Sequence, residues 1–218
     1  DGTIQELVVK VECIGSAAYP NNFNVTKCGL IAAYNEGTIR RCSVMVNYTL
    51  YVAGEIGVIA YQNSGIIENC LSAVGTGTGN PKFQGRIPDE ASAAGIAYEN
   101  SGTIKNCLFD GKLRTDGFIG NSYVPKDYAI ASPGGTITNC YYYHSKPRFG
   151  DAIYYEGELY KDGDKSTVIS KTQKEMGTGE VTWLLNEEGK NDIWRQKAIG
   201  SADISLNKSY GRVKKNDD

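Results

Sequence analysis

Asn63-Ser64-Gly65-Ile66-Ile67-Glu68-Asn69-Cys70 is a stretch that this chain writes repeatedly. It returns as Asn100-Ser101-Gly102-Thr103-Ile104-Lys105-Asn106-Cys107, and it is preceded by Asn35-Glu36-Gly37-Thr38-Ile39-Arg40-Arg41-Cys42. Pro133-Gly134-Gly135-Thr136-Ile137-Thr138-Asn139-Cys140 is a weaker copy. Gly2-Thr3-Ile4-Gln5-Glu6-Leu7 is a fifth, with Leu in the Cys place. The anchors fall at 7, 42, 70, 107 and 140. Short apolar runs precede the later copies: Gly29-Leu30-Ile31-Ala32-Ala33, Gly57-Val58-Ile59-Ala60-Tyr61, Gly95-Ile96-Ala97-Tyr98 and Tyr128-Ala129-Ile130-Ala131. Each unit holds two or three short β-type runs punctuated by Gly and Asn, with no helical period. A unit this small cannot bury its own apolar face, whereas stacked coils can. The repeat therefore predicts an all-β, right-handed parallel β-helix (a β-solenoid) over residues 1–145. Residues 146–218 are expected to form a terminal coil and a small C-terminal α+β cap.

Residues at one phase of such a repeat form columns about 4.8 Å apart. Ile4, Ile39, Ile67, Ile104 and Ile137 are expected to be an inward aliphatic column. Gly2, Gly37, Gly65, Gly102 and Gly135 are expected at turns with positive φ. Asn69, Asn106 and Asn139 fit a left-handed corner, which Asn tolerates. Gln5, Arg40, Glu68, Lys105 and Thr138 form a column whose central members alternate in sign. Opposed charges there contribute about 0.2–1 kcal/mol each, as expected of a solvated face rather than a binding site.

Cys42, Cys70, Cys107 and Cys140 share one phase and are read as a structural ladder of buried thiols. A linear ladder lacks the tetrahedral convergence of a zinc site, so no metal and no cofactor is expected. Cys13 and Cys28 lie outside that phase and bracket a turn-rich segment. They are either a disulfide clip, which implies an oxidising compartment, or two free thiols.

Three insertions, about 14–27, 75–91 and 114–127, share one phase and are expected to project from one edge. They carry Tyr19, Phe23, Phe83, Phe118 and Tyr123. Exposed loop aromatics suit glycan or protein contact, and equally suit pinning the loop itself. Beyond residue 143 the repeat fades. Thr172-Gln173-Lys174-Glu175 fits a capping box, 179–186 reads as a short helix, and 193–196 as a strand. Trp183, Leu184, Leu185 and Trp194 are expected to cover the last rung as core.

Composition narrows the function. A net charge of −2 offers no basic field for nucleic acid. No apolar run approaches the roughly 18 residues that span a bilayer. One His, at position 144, leaves most His-based catalysis unsupplied. Gly75-Thr76-Gly77-Thr78-Gly79 lacks the Lys-Ser/Thr of a phosphate loop, and the turn at 161–164 lacks the carboxylates of a calcium loop. The acidic residues are scattered. Glu36 and Glu68 occupy different phases and Asp89-Glu90 sit in an insertion, whereas a glycosidase needs paired carboxylates.

The units resemble the GLUG motif, a repeat of bacterial secreted and surface proteins. The matching residues are Gly57 to Tyr61 with Asn63 to Cys70, and Gly95 to Tyr98 with Asn100 to Cys107. The Gly29 to Cys42 copy is close, and Asp127 to Tyr141 has the Cys-Tyr ending but a degraded start. The tail, 179–186 with 194–196 and 200–203, is similar to a segment that often follows such arrays. The resemblance implies an adhesin-like, non-enzymatic module at the bacterial surface or secreted, without catalytic residues. Its partner would be a host or environmental glycan or protein. The alternative is a glycan-binding accessory module of a larger carbohydrate-active or protease protein. A lyase or hydrolase is a third reading, on fold analogy alone. The chain opens on Asp1 inside a repeat, so a monomeric module of a longer chain is expected.

Overall fold

The computed structural model describes residues 2–11, 27–46, 50–52, 55–74, 83–85, 92–111, 128–143 and 168–207. Strands dominate, and all but one of the ladders among these residues are parallel. One sheet stacks Thr3–Gln5, Thr38–Arg40, Ile66–Glu68, Thr103–Lys105 and Thr136–Thr138 in chain order. A six-stranded sheet stacks Val8–Val11, Ser43–Val46, Leu71–Val74, Leu108–Gly111, Cys140–Tyr143 and Val168–Lys171, also in chain order. Two smaller sheets repeat the pattern. One joins Lys27–Gly29, Glu55–Gly57 and Ser92–Ala94; the other joins Ala32–Asn35, Ala60–Asn63 and Ala97–Asn100. Each of the three central copies thus lends one strand to each of these four sheets, as a stack of similar rungs requires.

The register is that of the sequence repeat. Ile4 pairs with Ile39, Ile39 with Ile67, Ile67 with Ile104 and Ile104 with Ile137. The three central isoleucines are fully buried. Each contributes roughly 1.5–3 kcal/mol by leaving water. Ile4, with no rung beyond it among the described residues, is 38% exposed. The cysteines lie one rung apart: Leu71 N donates to Cys42 O, Leu108 N to Cys70 O, and Tyr141 N to Cys107 O, at 2.9–3.0 Å. All four thiols are free and buried. Each thiol donates to a carbonyl of its own coil, Cys70 to Glu68 O at 3.3 Å for example. Cys28 is also a free, partly buried thiol, and Cys13 lies outside the described residues.

The corner between Ile and Cys is left-handed in every copy. Glu6, Arg41, Asn69, Asn106 and Asn139 all have φ between 50° and 59°. This bend lets Ile and Cys, three residues apart, both face the core. Two corners hold residues that tolerate this conformation poorly, Glu6 and Arg41, which meet each other across 3.8 Å. Arg41→Asn is therefore expected to raise stability by about 0.5–1 kcal/mol, read as a shift in the urea midpoint. A loss of stability would show that the Arg41 ion pair outweighs its backbone.

The glycine column departs from expectation. Only Gly135 has positive φ, at 60°. Gly37, Gly65 and Gly102 are needed because rungs approach there. A Cβ on Gly65 would sit inside the carbonyl of Gly37, and one on Gly102 inside that of Gly65. The apolar runs also differ slightly from their sequence alignment. Ala94, not Gly95, stands opposite Gly57. Gly95 instead makes room for the Phe109 ring, whose Cγ would lie 2.6 Å from its Cβ.

One insertion contains more order than a loop. Phe83–Gly85 is a strand in parallel register with Leu50–Val52. The C-terminal region holds helix Gln173–Met176, capped by Thr172 with Glu175 in reciprocal hydrogen bonds, and helix Glu180–Leu185. Trp194–Gln196 pairs antiparallel with Ile204–Leu206. This region packs along the side of successive rungs. Met176, Val181, Leu185, Ile193, Trp194 and Ile204 cluster with Leu71, Leu108 and Tyr141. Trp183 is half exposed, contrary to its reading as core. Val181 and Leu185, one turn apart, take the inward face of their helix and leave Trp183 on the other.

Candidate functional site

The two smaller sheets carry a cluster of tyrosines and carboxylates. The strands Lys27–Gly29 and Glu55–Gly57 run into Ala32–Asn35 and Ala60–Asn63 through tight bends. Gly57 fits its bend because a Cβ there would meet Ala60 O and Tyr98 N. Three tyrosines past the bends and Tyr128, which bridges Ala94 before a bend, form a ladder. Tyr34 meets Tyr61 edge-on at 6.1 Å, Tyr61 stacks on Tyr98 at 5.9 Å, and Tyr98 meets Tyr128 at 5.9 Å. Tyr61, Tyr98 and Tyr128 are buried, whereas Tyr34 is 61% exposed.

The Tyr61 hydroxyl lies between two carboxylates, 3.0 Å from Glu55 Oε2 and 2.7 Å from Glu99 Oε1. Burial first, then Glu99 and Glu55, push its ionisation far above the ordinary phenol range. It therefore stays a proton donor at physiological pH, and its single proton is shared between two acceptors. Lys27 Nζ lies 5.0 Å from the Tyr61 ring centroid, a cation–π contact. Strand register sets Tyr34, Gln62 and Glu99 side by side on three consecutive rungs. Chemically, this arrangement can present an open aromatic face beside an amide and a carboxylate.

A second cluster lies where the C-terminal region meets the six-stranded sheet. Trp194 Nε1 donates to Asn69 Oδ1 at 3.3 Å, Asn106 Nδ2 to Glu187 Oε1 at 3.0 Å, and Asn139 Nδ2 to Leu184 O at 2.8 Å. The three corner asparagines thus receive the C-terminal region on three successive rungs. Asp110 sits two residues beyond Leu108 on the same sheet. Burial first, then the charge of Asp203, push its carboxyl up to about 6. A folded value above the unfolded one means that ionisation opposes folding. Stability contributed by the neutral acid is complete below about pH 4 and is lost as pH rises through about 6. Asp110→Asn is expected to raise stability at pH 8 by up to about 3 kcal/mol and to flatten the pH 4–7 profile. Thermal melts at pH 4, 6 and 8 check this; an unchanged slope in the variant would refute it.

Of the aromatic residues first singled out, Tyr19, Phe23, Phe118 and Tyr123 lie outside the described residues. Phe83 opens the short strand already noted. The charge column is in register: Arg40 donates to Gln5 Oε1 at 2.6 and 2.9 Å, and Lys105 meets Glu68 at 2.8 Å. The ladder thiols are poor ligands and nucleophiles. A hydrogen bond to the Cys70 sulfur, then burial, holds the Cys42 thiol far above the usual thiol range. Burial leads the same shift at Cys70 and Cys107. Tyr34, Tyr61, Glu55, Glu99 and Asp110 escaped the sequence reading. The one signal was the Tyr that closes two successive apolar runs, at 61 and 98. Glu55 and Glu99 reach one hydroxyl from different strands of different rungs, which no linear spacing displays. No known protein family, curated protein or solved structure matches this chain.

Proposed function

We propose that the chain is a non-enzymatic binding or stalk module of a secreted or cell-surface bacterial protein, of the GLUG-repeat kind. Its rungs form a closed, right-handed parallel β-solenoid, and the C-terminal α+β segment serves as its cap by clasping the last rungs from the side. The observation that carries this reading is the unbroken register of Ile from rung to rung, with Asn35, Asn63 and Asn100 in step beside it. Nearly all the repeated residues are spent on stacking, which suits a rigid support whose variable segments make contacts. Adhesion through those segments to a glycan or host protein is the role favoured here. The insertion-borne aromatics and the tyrosine–carboxylate cluster also favour a second reading, a glycan-binding accessory module of a larger protein.

One experiment tests the role. The chain is applied to an array of glycans and matrix proteins beside variants lacking segments 14–27, 75–91 or 114–127. Binding lost in a folded deletion variant supports adhesion at that edge, and binding that survives every deletion rejects the edge. Turnover of any glycan on the array would reject the non-enzymatic reading.

A further inference from the structure

The exposed surface around Tyr34 has a more specific chemistry than the insertions, and it deepens the binding role just proposed, on which it rests. We propose that Tyr34, Gln62 and Glu99 form a subsite for a neutral pyranose sugar. Tyr34 would be the stacking platform, and the amide and carboxylate would bond the hydroxyls of the sugar.

Four observations carry this. Tyr34 is the exposed end of a ladder whose other three rings are buried. Its contact with Tyr61 is edge-to-face, with the planes 86° apart, so the buried ring braces it. A braced, exposed aromatic face beside water suits the C–H face of a pyranose. Second, Gln62 and Glu99 are the register partners on the next two rungs. They stand at steps of about 4.8 Å along the stack, the scale of one sugar unit. Third, these groups keep bonding capacity. Glu99 commits Oε1 to Tyr61, which fixes the carboxylate, and its Oε2 makes no bond to a described residue. The Gln62 amide is half-buried and has no partner among the described residues. Fourth, the charges select against acidic sugars. Glu55 and Glu99 flank the Tyr61 hydroxyl, and Lys27 is already placed over the Tyr61 ring. A rigid sheet holds all of these groups before any ligand arrives, which lowers the ordering cost of binding.

The test uses the full chain titrated with cellotriose, chitotriose and maltotriose, and separately with tetramethylammonium chloride. Chemical shifts of the tyrosine rings and backbone report binding. At least one trisaccharide is expected to bind and to shift the Tyr34 ring. Tyr34→Ala is expected to weaken it about tenfold, Glu99→Gln to weaken it measurably, and Tyr34→Phe to retain it, all with unchanged circular dichroism. Equal affinity in Tyr34→Ala, no response to any trisaccharide, or a Tyr34 response to tetramethylammonium alone would overturn the subsite. The array separates the two levels. Binding that persists in Tyr34→Ala but disappears on deleting an insertion overturns the subsite and leaves the adhesive role standing. Silence across the whole array overturns both.

Discussion

Gly102→Ala is expected to be among the most damaging single-methyl changes available in this chain. The cause is the distance between rungs and not the backbone angle of Gly102, whose φ is not positive. A Cβ there would fall inside Gly65 O and lie 2.6 Å from the backbone carbon of Ser64. These atoms cannot yield, because they belong to the ladder. Thr103 N donates to that same Gly65 oxygen at 2.8 Å, and Gly102 N donates to Asn63 O at 3.0 Å. Relief therefore requires the rungs to part, with loss of both bonds and of packing at the buried Ile67 and Ile104. An effect above about 4 kcal/mol is expected, at the extreme of single substitutions. Gly2→Ala is the control. It occupies the same phase but meets nothing within 4 Å, so it should change stability by no more than about 0.5 kcal/mol. Urea titrations of both variants decide the matter. Similar midpoints for the two would mean that the glycine column is not set by rung contact.

The contrast between Gly2 and Gly102 also marks how far the sequence could be read. Phase was legible, because the repeat returns the same residue types at the same positions, and strand register follows from it. The corner asparagines were legible as well, since few residues accept φ near 53°. The reason for the glycines was not. A repeated Gly looks the same whether it serves positive φ or close approach, and only the distance to the neighbouring rung separates them. The tyrosine–carboxylate cluster was hidden for a different reason. Tyr61 meets Glu55 on its own coil and Glu99 on the next, and the insertions make the coils unequal in length. The C-terminal region was legible as local elements, down to the cap at Thr172. Its docking on corners 125 residues away, as between Trp194 and Asn69, depends on surfaces that exist only after stacking.

Asn63→Ala tests a ladder that the repeat displayed without disclosing its use. Asn35, Asn63 and Asn100 open three successive copies and are all buried. Asn35 Nδ2 donates to Asn63 Oδ1 at 2.7 Å, and Asn63 Nδ2 donates to Asn100 Oδ1 at 2.8 Å. The chain ends where Asn100 Nδ2 donates to Gly134 O at 2.9 Å. Asn63 and Asn100 each accept and donate, so the bonds run in one direction and reinforce one another. Removing the middle member strands a donor above and an acceptor below, both out of reach of water, and opens a cavity. Together these should cost about 3–4 kcal/mol. Asn35→Ala should cost less, because Asn35 stands at the head of the ladder and only one neighbour loses its partner. Asn63→Asp keeps the volume but turns the donor into an acceptor facing Asn100 Oδ1, so at neutral pH it should be at least as harmful as Ala. Acidification should restore part of that loss, since a protonated carboxyl can donate again. Equal costs at positions 35 and 63, together with a tolerated Asp, would show that these residues fill space and that the direction of their hydrogen bonds is immaterial.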